Sequence, residues 1–176
     1  CLKDNDKCTD GWQSYNRNWI LAQKCLNIMC NKFHMKGLLV GRINCKLPQG
    51  CHKLMETTDF LKHDKFLQCY KESKIVFIPN YADASPRVLS EALCHDLRCL
   101  VNKNIVGGWK YVNKQTGEFF NDENDIEFAI NKLQSNYDSY TPRKFFSENY
   151  GKERTGKKLK EFIEYCVPEI DLKNVK

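Results

Sequence analysis

Ser73–Leu93 reads SKIVFIPNYADASPRVLSEAL and combines a short apolar run, an acidic loop and an amphipathic segment. The apolar run 74–79 predicts a buried strand that ends at Pro79, because proline has no N–H with which to continue a ladder. Pro86 suits the first turn of a helix over 87–94, where a missing N–H costs nothing. The segment therefore predicts a strand, a loop and a helix in succession, with Asp83 in the loop.

The flanking sequence continues this alternation of strands and helices. Residues 1–17 are polar and predict a loop, whereas apolar residues at three-to-four spacing or in short runs predict the other elements. We expect helices over 19–30, 66–70 and 125–133, strands over 37–41 and 98–101, an extended piece over 116–120, and a helical tail over about 137–176. Strands that alternate with helices predict a single α/β domain with a doubly wound parallel sheet.

The loop after the strand 74–79 is the predicted binding region. In doubly wound sheets, ligands bind beyond the carboxyl ends of the strands. The first turn of helix 87–94 carries unpaired N–H groups and a partial positive charge, which suit a phosphate. Asp83 lies before this helix and Glu91 lies within it, so we expect both carboxylates to reach one ligand. Carboxylates accept hydrogen bonds from sugar hydroxyls.

The acidic loop resembles that of the retaining GT-B glycosyltransferases of the group 1 (GT4) family. That family carries two acids with seven residues between them, and Asp83 and Glu91 stand at these positions. Ala84–Leu89 is similar to the Ser-Pro-x-Val-Leu variant of the family loop. Segments 37–41, 66–70, 99–108 and 116–120 resemble other family motifs in the same order, so that the resemblance covers about residues 17–135. It implies a Rossmann-like GT-B carboxyl-terminal domain, which binds the nucleotide sugar.

The resemblance also implies a role for each matching residue. Asp83 would contact the donor sugar, and Glu91 would contact the ribose of the nucleotide. The residues expected near the diphosphate or nucleotide are Arg17, Gly41, Arg42 and the main-chain donors of Ser85, Arg87 and Val88. The implied reaction is transfer of a hexosyl group with retention, without a bound metal or cofactor.

The partners implied by the resemblance are a UDP- or GDP-sugar and an acceptor domain or partner chain. GT-B active sites lie between two domains, so we expect the acceptor domain and the first strand of the sheet to lie outside this chain. Activity of the chain alone is therefore left open, as are the nucleotide, the sugar and the acceptor.

Two other functions are weighed against the transferase. A non-catalytic Rossmann-like module would bind a nucleotide or a partner protein with the same elements. A nucleic-acid-binding protein would exploit the net charge of +6, which comes from 28 Lys+Arg against 22 Asp+Glu. No recognition motif accompanies this charge, so we expect no nucleic-acid partner.

The ten cysteines are interpreted as reduced thiols in a cytoplasmic protein. Several lie in apolar periodic stretches, where free cysteine behaves as a small hydrophobic residue. The candidate zinc ligands match the spacing of no zinc module; they are Cys45, Cys51, His52, His63 and Cys69. No apolar run approaches the roughly 20 residues that span a bilayer, so no transmembrane segment is predicted.

Overall fold

The computed structural model describes residue 8 and residues 11–41 and 45–169 of the chain. Helices and strands alternate through most of this part of the sequence. The strands are β1 (Gly37–Val40), β2 (Met55–Thr58), β3 (Ile75–Ile78), β4 (Arg98–Asn102) and β5 (Gly117–Phe120). The helices are α1 (Trp12–Arg17), α2 (Trp19–Asn31), α3 (His63–Glu72), α4 (Arg87–Cys94), α5 (Ile126–Ser135), α6 (Pro142–Tyr150) and α7 (Lys152–Cys166).

The strands form two parallel sheets. In the first, β1 pairs with β2, and Gly37 stands opposite Met55. In the second, β4 lies between β3 and β5, so that Ile75 stands opposite Arg98 and Cys99 stands opposite Gly117. Each connection between β3, β4 and β5 returns the chain to the same end of the sheet. The carboxyl ends of these strands therefore lie at one edge of the sheet. The loop after β3 begins at this edge and leads to α4.

Two apolar clusters cover the two faces of the three-stranded sheet. Along β4 the side chains alternate, because successive residues of a strand point to opposite faces. Leu100 joins a cluster built mainly by α2 and α5, whereas Cys99 and Val101 join a cluster built mainly by α4. Leu39 of β1 packs against the α2–α5 cluster. The sheet is thus covered on both faces, as buried parallel strands require.

Most of the predicted elements are confirmed. The helices over α2, α4 and α5 and the strands over β1, β3 and β4 are found within one or two residues of their expected bounds. The extended piece before Phe120 is β5, and the helical tail contains α6 and α7. The architecture is mixed α/β with parallel strands.

One local prediction is wrong, one helix is longer than predicted, and one strand was missed. The polar segment before Asn18 contains α1 rather than only a loop, and α3 is longer than the predicted helix over 66–70. The strand β2 is not predicted, because Met55-Glu56-Thr57-Thr58 has a single large apolar residue and forms a strand by pairing with β1.

Four cysteines contradict the expectation of reduced thiols. Cys8 is bonded to Cys45, and Cys30 is bonded to Cys51. The sequence separations are 37 and 21 residues, so the fold and not the local sequence brings the sulfurs together. Both bonds attach the connection between β1 and β2 to the amino-terminal helical region. The cytoplasmic prediction depended on reduced thiols and loses that support.

The carboxyl-terminal helix α7 contacts α6 and has no fully buried residue. Leu159, Phe162 and Tyr165 are exposed on it. In the described part of the chain, no helix has the length and apolar character needed to cross a membrane.

Removal of the disulfide between α2 and the β1–β2 connection should lower the free energy of unfolding. For the double variant Cys30→Ala/Cys51→Ala we expect a loss of about 3 kcal/mol, because a loop of this length is no longer closed in the unfolded chain. Urea denaturation of the unreduced protein measures the loss. The exposed Cys94 supplies the control, since Cys94→Ala removes a thiol that forms no disulfide. Finding all ten cysteines reactive in the denatured, unreduced protein would contradict the assignment.

Candidate functional site

The loop between β3 and α4, residues 79–86, is held by backbone hydrogen bonds to two other segments. The N–H of Tyr81 donates to the carbonyl of Asn16 at 3.0 Å. On the other side, the N–H groups of Val106 and Gly107 donate to the carbonyls of Tyr81 and Asp83, each at 3.0 Å. The acidic loop therefore lies between α1 and the turn that follows β4.

The turn after β4 approaches the acidic loop so closely that it requires glycine. A Cβ on Gly107 would overlap the backbone carbonyl of Ala84. Gly108 has a φ of +80°, in the left-handed region that favours glycine, and a Cβ there would lie 2.6 Å from Cγ of Pro86. The Gly-Gly pair thus sets the distance between this turn and the start of α4.

Asp83 accepts three hydrogen bonds within this loop region. Its Oδ2 accepts from Nη1 of Arg17 at 3.2 Å and from Nδ2 of Asn80 at 2.9 Å. Its Oδ1 accepts from the N–H of Ser85 at 3.2 Å, which makes the short turn that aspartate side chains favour. The predicted site residues Arg17, Asp83 and Ser85 are therefore brought together, although Arg17 and Asp83 are 66 residues apart in the sequence.

The Arg17–Asp83 ion pair is partly exposed, with 37% of the Arg17 side chain and 19% of the Asp83 side chain accessible. A pair of this exposure contributes at most about 1 kcal/mol, because solvent screens the charges. The ion pair instead fixes the position of the acidic loop, because it connects the end of α1 to Asp83. The accessible part of Arg17 can also meet a ligand.

Two buried asparagines form hydrogen bonds that hold the acidic loop. Asn102, at the end of β4, is buried and donates from Nδ2 to the carbonyl of Pro79 at 3.0 Å. Its Oδ1 accepts from the N–H of Asn104 at 2.9 Å. Asn80 is also buried and orients the carboxylate of Asp83. Sequence reasoning did not single out either asparagine, although an amide next to the strand end is a recognisable signal for a loop of this kind.

The start of α4 leaves main-chain donors for a ligand. Arg87 and Val88 occupy its first two positions, and no hydrogen bond from their N–H groups to another described residue is found. Both side chains are exposed. The N–H of Ser85, in contrast, is already engaged by Asp83. Of the three main-chain donors predicted to face a diphosphate, two therefore have no protein partner in the described part of the chain.

Glu91 faces α3 in a contact that sequence reasoning missed. The hydroxyl of Tyr70 lies 3.2 Å from Oε2 of Glu91 and 3.3 Å from the carbonyl of Val88, so that its proton is shared between two acceptors. Burial, together with the charge of Glu91, raises the pKa of Tyr70 above its ordinary value. No hydrogen bond among the described residues connects Glu91 with Asp83 or with a partner of Asp83.

Gly41 lies at the carboxyl end of β1, buried, with a φ of 112° that favours glycine. Its N–H donates to the carbonyl of Thr58 at 2.9 Å and so extends the pairing with β2. The predicted neighbour Arg42 lies outside the described residues.

A cavity of about 340 Å³ adjoins the acidic loop on the side of α1 and α2. We call it the aromatic cavity; it is lined by Ser14, Tyr15, Asn18, Trp19, Ile20 and Tyr81. The rings of Tyr15 and Tyr81 meet edge to face, with centroids 5.4 Å apart. Sequence reasoning did not predict this cavity, because its wall combines α1, the α1–α2 junction and a loop more than 60 residues away.

In comparisons with known proteins, no protein-family model matches this chain and no curated protein matches its sequence.

The close approach of the Gly-Gly turn can be tested with two matched substitutions. Gly107→Ala should lower the free energy of unfolding by about 1–3 kcal/mol, because its methyl group would overlap the carbonyl of Ala84. Gly156→Ala, in the exposed helix α7, meets no atom within 4 Å and should raise it by about 0.5–1 kcal/mol. Chemical denaturation measures both changes. Equal effects of the two substitutions would show that the turn does not press on the acidic loop.

Proposed function

We propose that this chain is the donor-binding half of a retaining glycosyltransferase, with a Rossmann-like GT-B carboxyl-terminal fold. It binds a UDP- or GDP-sugar and supplies one wall of an active site whose other wall is an acceptor domain or partner chain. The parallel strands, the acidic loop beyond β3 and the helix that follows it are compatible with this fold.

One observation carries the proposal: the contact between Arg17 and Asp83 beside the start of α4. The resemblance assigns both residues to one ligand, a phosphate contact to Arg17 and a sugar contact to Asp83. The acidic loop then leads from this pair to the exposed first turn of α4. A cation, a carboxylate and free main-chain donors within one loop region match the chemistry of a sugar diphosphate.

The carboxylate of Asp83 keeps capacity for a donor sugar. A carboxylate offers about four acceptor positions, and three are occupied by Arg17, Asn80 and Ser85. The remaining position is on Oδ1, where a sugar hydroxyl can donate. Because Arg17 and Asn80 fix the orientation of the carboxylate in advance, little conformational entropy is lost when the sugar binds.

The leaving diphosphate would be neutralised by the chain itself. The free N–H groups of Arg87 and Val88 point from the positive end of α4, and the guanidinium groups of Arg17 and Arg87 add charge. Donors that are already oriented stabilise developing negative charge with little reorganisation. The chemistry proposed for Glu91 is acceptance of hydrogen bonds from the ribose hydroxyls, with Tyr70 holding its other oxygen.

Nucleotide titration tests this proposal on the Glu91 carboxylate. Calorimetric titration of UDP and GDP should give binding for one of them, and Glu91→Gln should weaken it about ten- to hundredfold. This is the effect of a hydrogen bond to a charged group, about 1.5–3 kcal/mol. Glutamine keeps the shape of the side chain and can still accept from Tyr70, so the fold should be unaffected.

Glu161→Gln is the matched control for this titration. Glu161 is exposed on α7, and its ion pair is to Lys157 on the same helix, so this variant should bind as the unmodified protein does. The proposal would be rejected if neither nucleotide binds, or if the two variants bind equally well.

A non-catalytic nucleotide-binding module is the second candidate. Asp83 and Glu91 have different hydrogen-bond partners, because Glu91 contacts Tyr70 of α3. A module that only binds a nucleotide does not need both carboxylates at one sugar, so this separation favours it. Combining the chain with its acceptor domain separates the two functions, because only the transferase would release UDP or GDP from a nucleotide sugar.

A further inference from the structure

The aromatic cavity has uncharged walls. Its lining residues Ser14, Tyr15, Asn18, Trp19, Ile20 and Tyr81 carry hydroxyl, amide, indole and aliphatic groups. The nearest charged residue along α1 is Arg17, which does not line the cavity and whose Nη1 contacts Asp83. The lining residues themselves therefore offer a phosphate or carboxylate no charged partner. The cavity suits a neutral ligand that presents both apolar and hydroxyl groups.

Exposed aromatic rings form the mouth of the aromatic cavity. Tyr15 is 54% exposed, Tyr81 is 41% exposed, and Trp12 continues the row with its ring centroid 5.7 Å from that of Tyr15. A row of accessible aromatic side chains is unusual on a surface without a binding role. Because Tyr15 and Tyr81 meet at 69°, a flat nucleobase can stack on one ring but not between the two. A pyranose ring, with C–H groups on its faces and hydroxyls at its rim, fits such a corner.

One residue of the cavity wall has a buried polar atom without a partner among the described residues. Trp19 is 5% exposed, and its indole nitrogen is buried without a hydrogen-bond partner among the described residues. Oδ1 of Asn16, which does not line the cavity, also has no partner among the described residues, and its main-chain carbonyl accepts from the N–H of Tyr81. Buried polar atoms are normally paired, so unpaired ones require an explanation.

The backbone at the cavity is held in an uncommon conformation. Asn18 joins α1 to α2 with φ 50° and ψ 53°, in the left-handed region that asparagine tolerates better than most residues. This change of direction places Tyr15 and Trp19 on the wall of one cavity. The volume of about 340 Å³ lies at the lower end of the range for small-ligand pockets, about 300–1,000 Å³.

We propose that the aromatic cavity binds a neutral pyranose, the sugar of the acceptor. The acidic loop passes Tyr81, then Asp83, then the first turn of α4. Tyr81 and Asp83 are two residues apart, so their Cα atoms are at most about 7 Å apart, and Tyr81 lines the cavity while Asp83 binds Arg17. A donor with its diphosphate at α4 and its sugar at Asp83 would therefore meet the acceptor at the aromatic cavity. This assignment to the acceptor rests on the proposed function, whereas binding of a pyranose does not.

Binding of simple methyl glycosides tests the proposal. The probes are methyl α-glucoside, methyl α-mannoside, methyl β-galactoside and methyl β-N-acetylglucosaminide, each at about 10 mM, because one sugar ring should bind with a millimolar Kd. Saturation-transfer NMR with the full chain should detect at least one of them. Tyr15→Ala and Tyr81→Ala should each weaken that binding about tenfold, since each removes a ring against which the sugar packs. Both side chains are exposed, so both variants should fold.

Tyr165→Ala is the matched control, because Tyr165 is an exposed tyrosine on α7, 84% accessible, and does not line the cavity. It should leave sugar binding unchanged. The proposal is overturned if no methyl glycoside binds, if Tyr15→Ala and Tyr81→Ala bind as well as Tyr165→Ala does, or if UDP or GDP displaces the glycoside. Glycoside binding without nucleotide binding would support the sugar site and overturn both its assignment to an acceptor and the proposed transferase.

Discussion

The acidic loop is attached on both sides, and the candidate site depends on this attachment. On one side, Asn16 and Arg17 bind the backbone of Tyr81 and the carboxylate of Asp83. On the other side, the Gly107 turn donates to the carbonyl of Asp83 at a distance that no side chain at position 107 would permit. Because hydrogen bonds hold the loop on both sides, it presents Asp83 and the first turn of α4 in one defined arrangement. A loop held in this way can recognise a ligand without first being ordered by it.

This arrangement divides the region into three chemically different parts. Arg87 and Val88 have main-chain donors that no other described residue engages, Asp83 has a fixed carboxylate, and the aromatic cavity, with its uncharged lining, adjoins Tyr81. The main-chain donors favour a phosphate, and the carboxylate favours a ring that carries hydroxyl groups. The aromatic cavity favours a second, neutral ring. Glu91 stands apart, because its hydrogen bond is to Tyr70 on α3. Its role therefore depends on whether a ribose reaches the side of α4 that faces α3.

Much of the fold could be predicted from local sequence, whereas most of the contacts within the site could not. Helices α2 and α5 have apolar residues at three-to-four spacing, β3 is an uninterrupted apolar run, and β4 has three apolar residues at its centre, so their burial is visible in the sequence. Strand β2 depends on pairing with β1, and the Cys30–Cys51 bond depends on folding across 21 residues. Asp83 was identified from its position before a helix. Its orientation by Asn80 and the contact between Glu91 and Tyr70 are tertiary interactions that no spacing reveals.

The central claim is that a sugar diphosphate binds where the acidic loop meets α4. A crystal structure of the chain soaked with UDP or GDP at saturating concentration tests it most directly. The account predicts density for the diphosphate within hydrogen-bond distance of the main-chain nitrogens of Arg87 and Val88, with the Arg17 side chain beside it. Density for the nucleotide elsewhere on the molecule, with the first turn of α4 unoccupied, would contradict it.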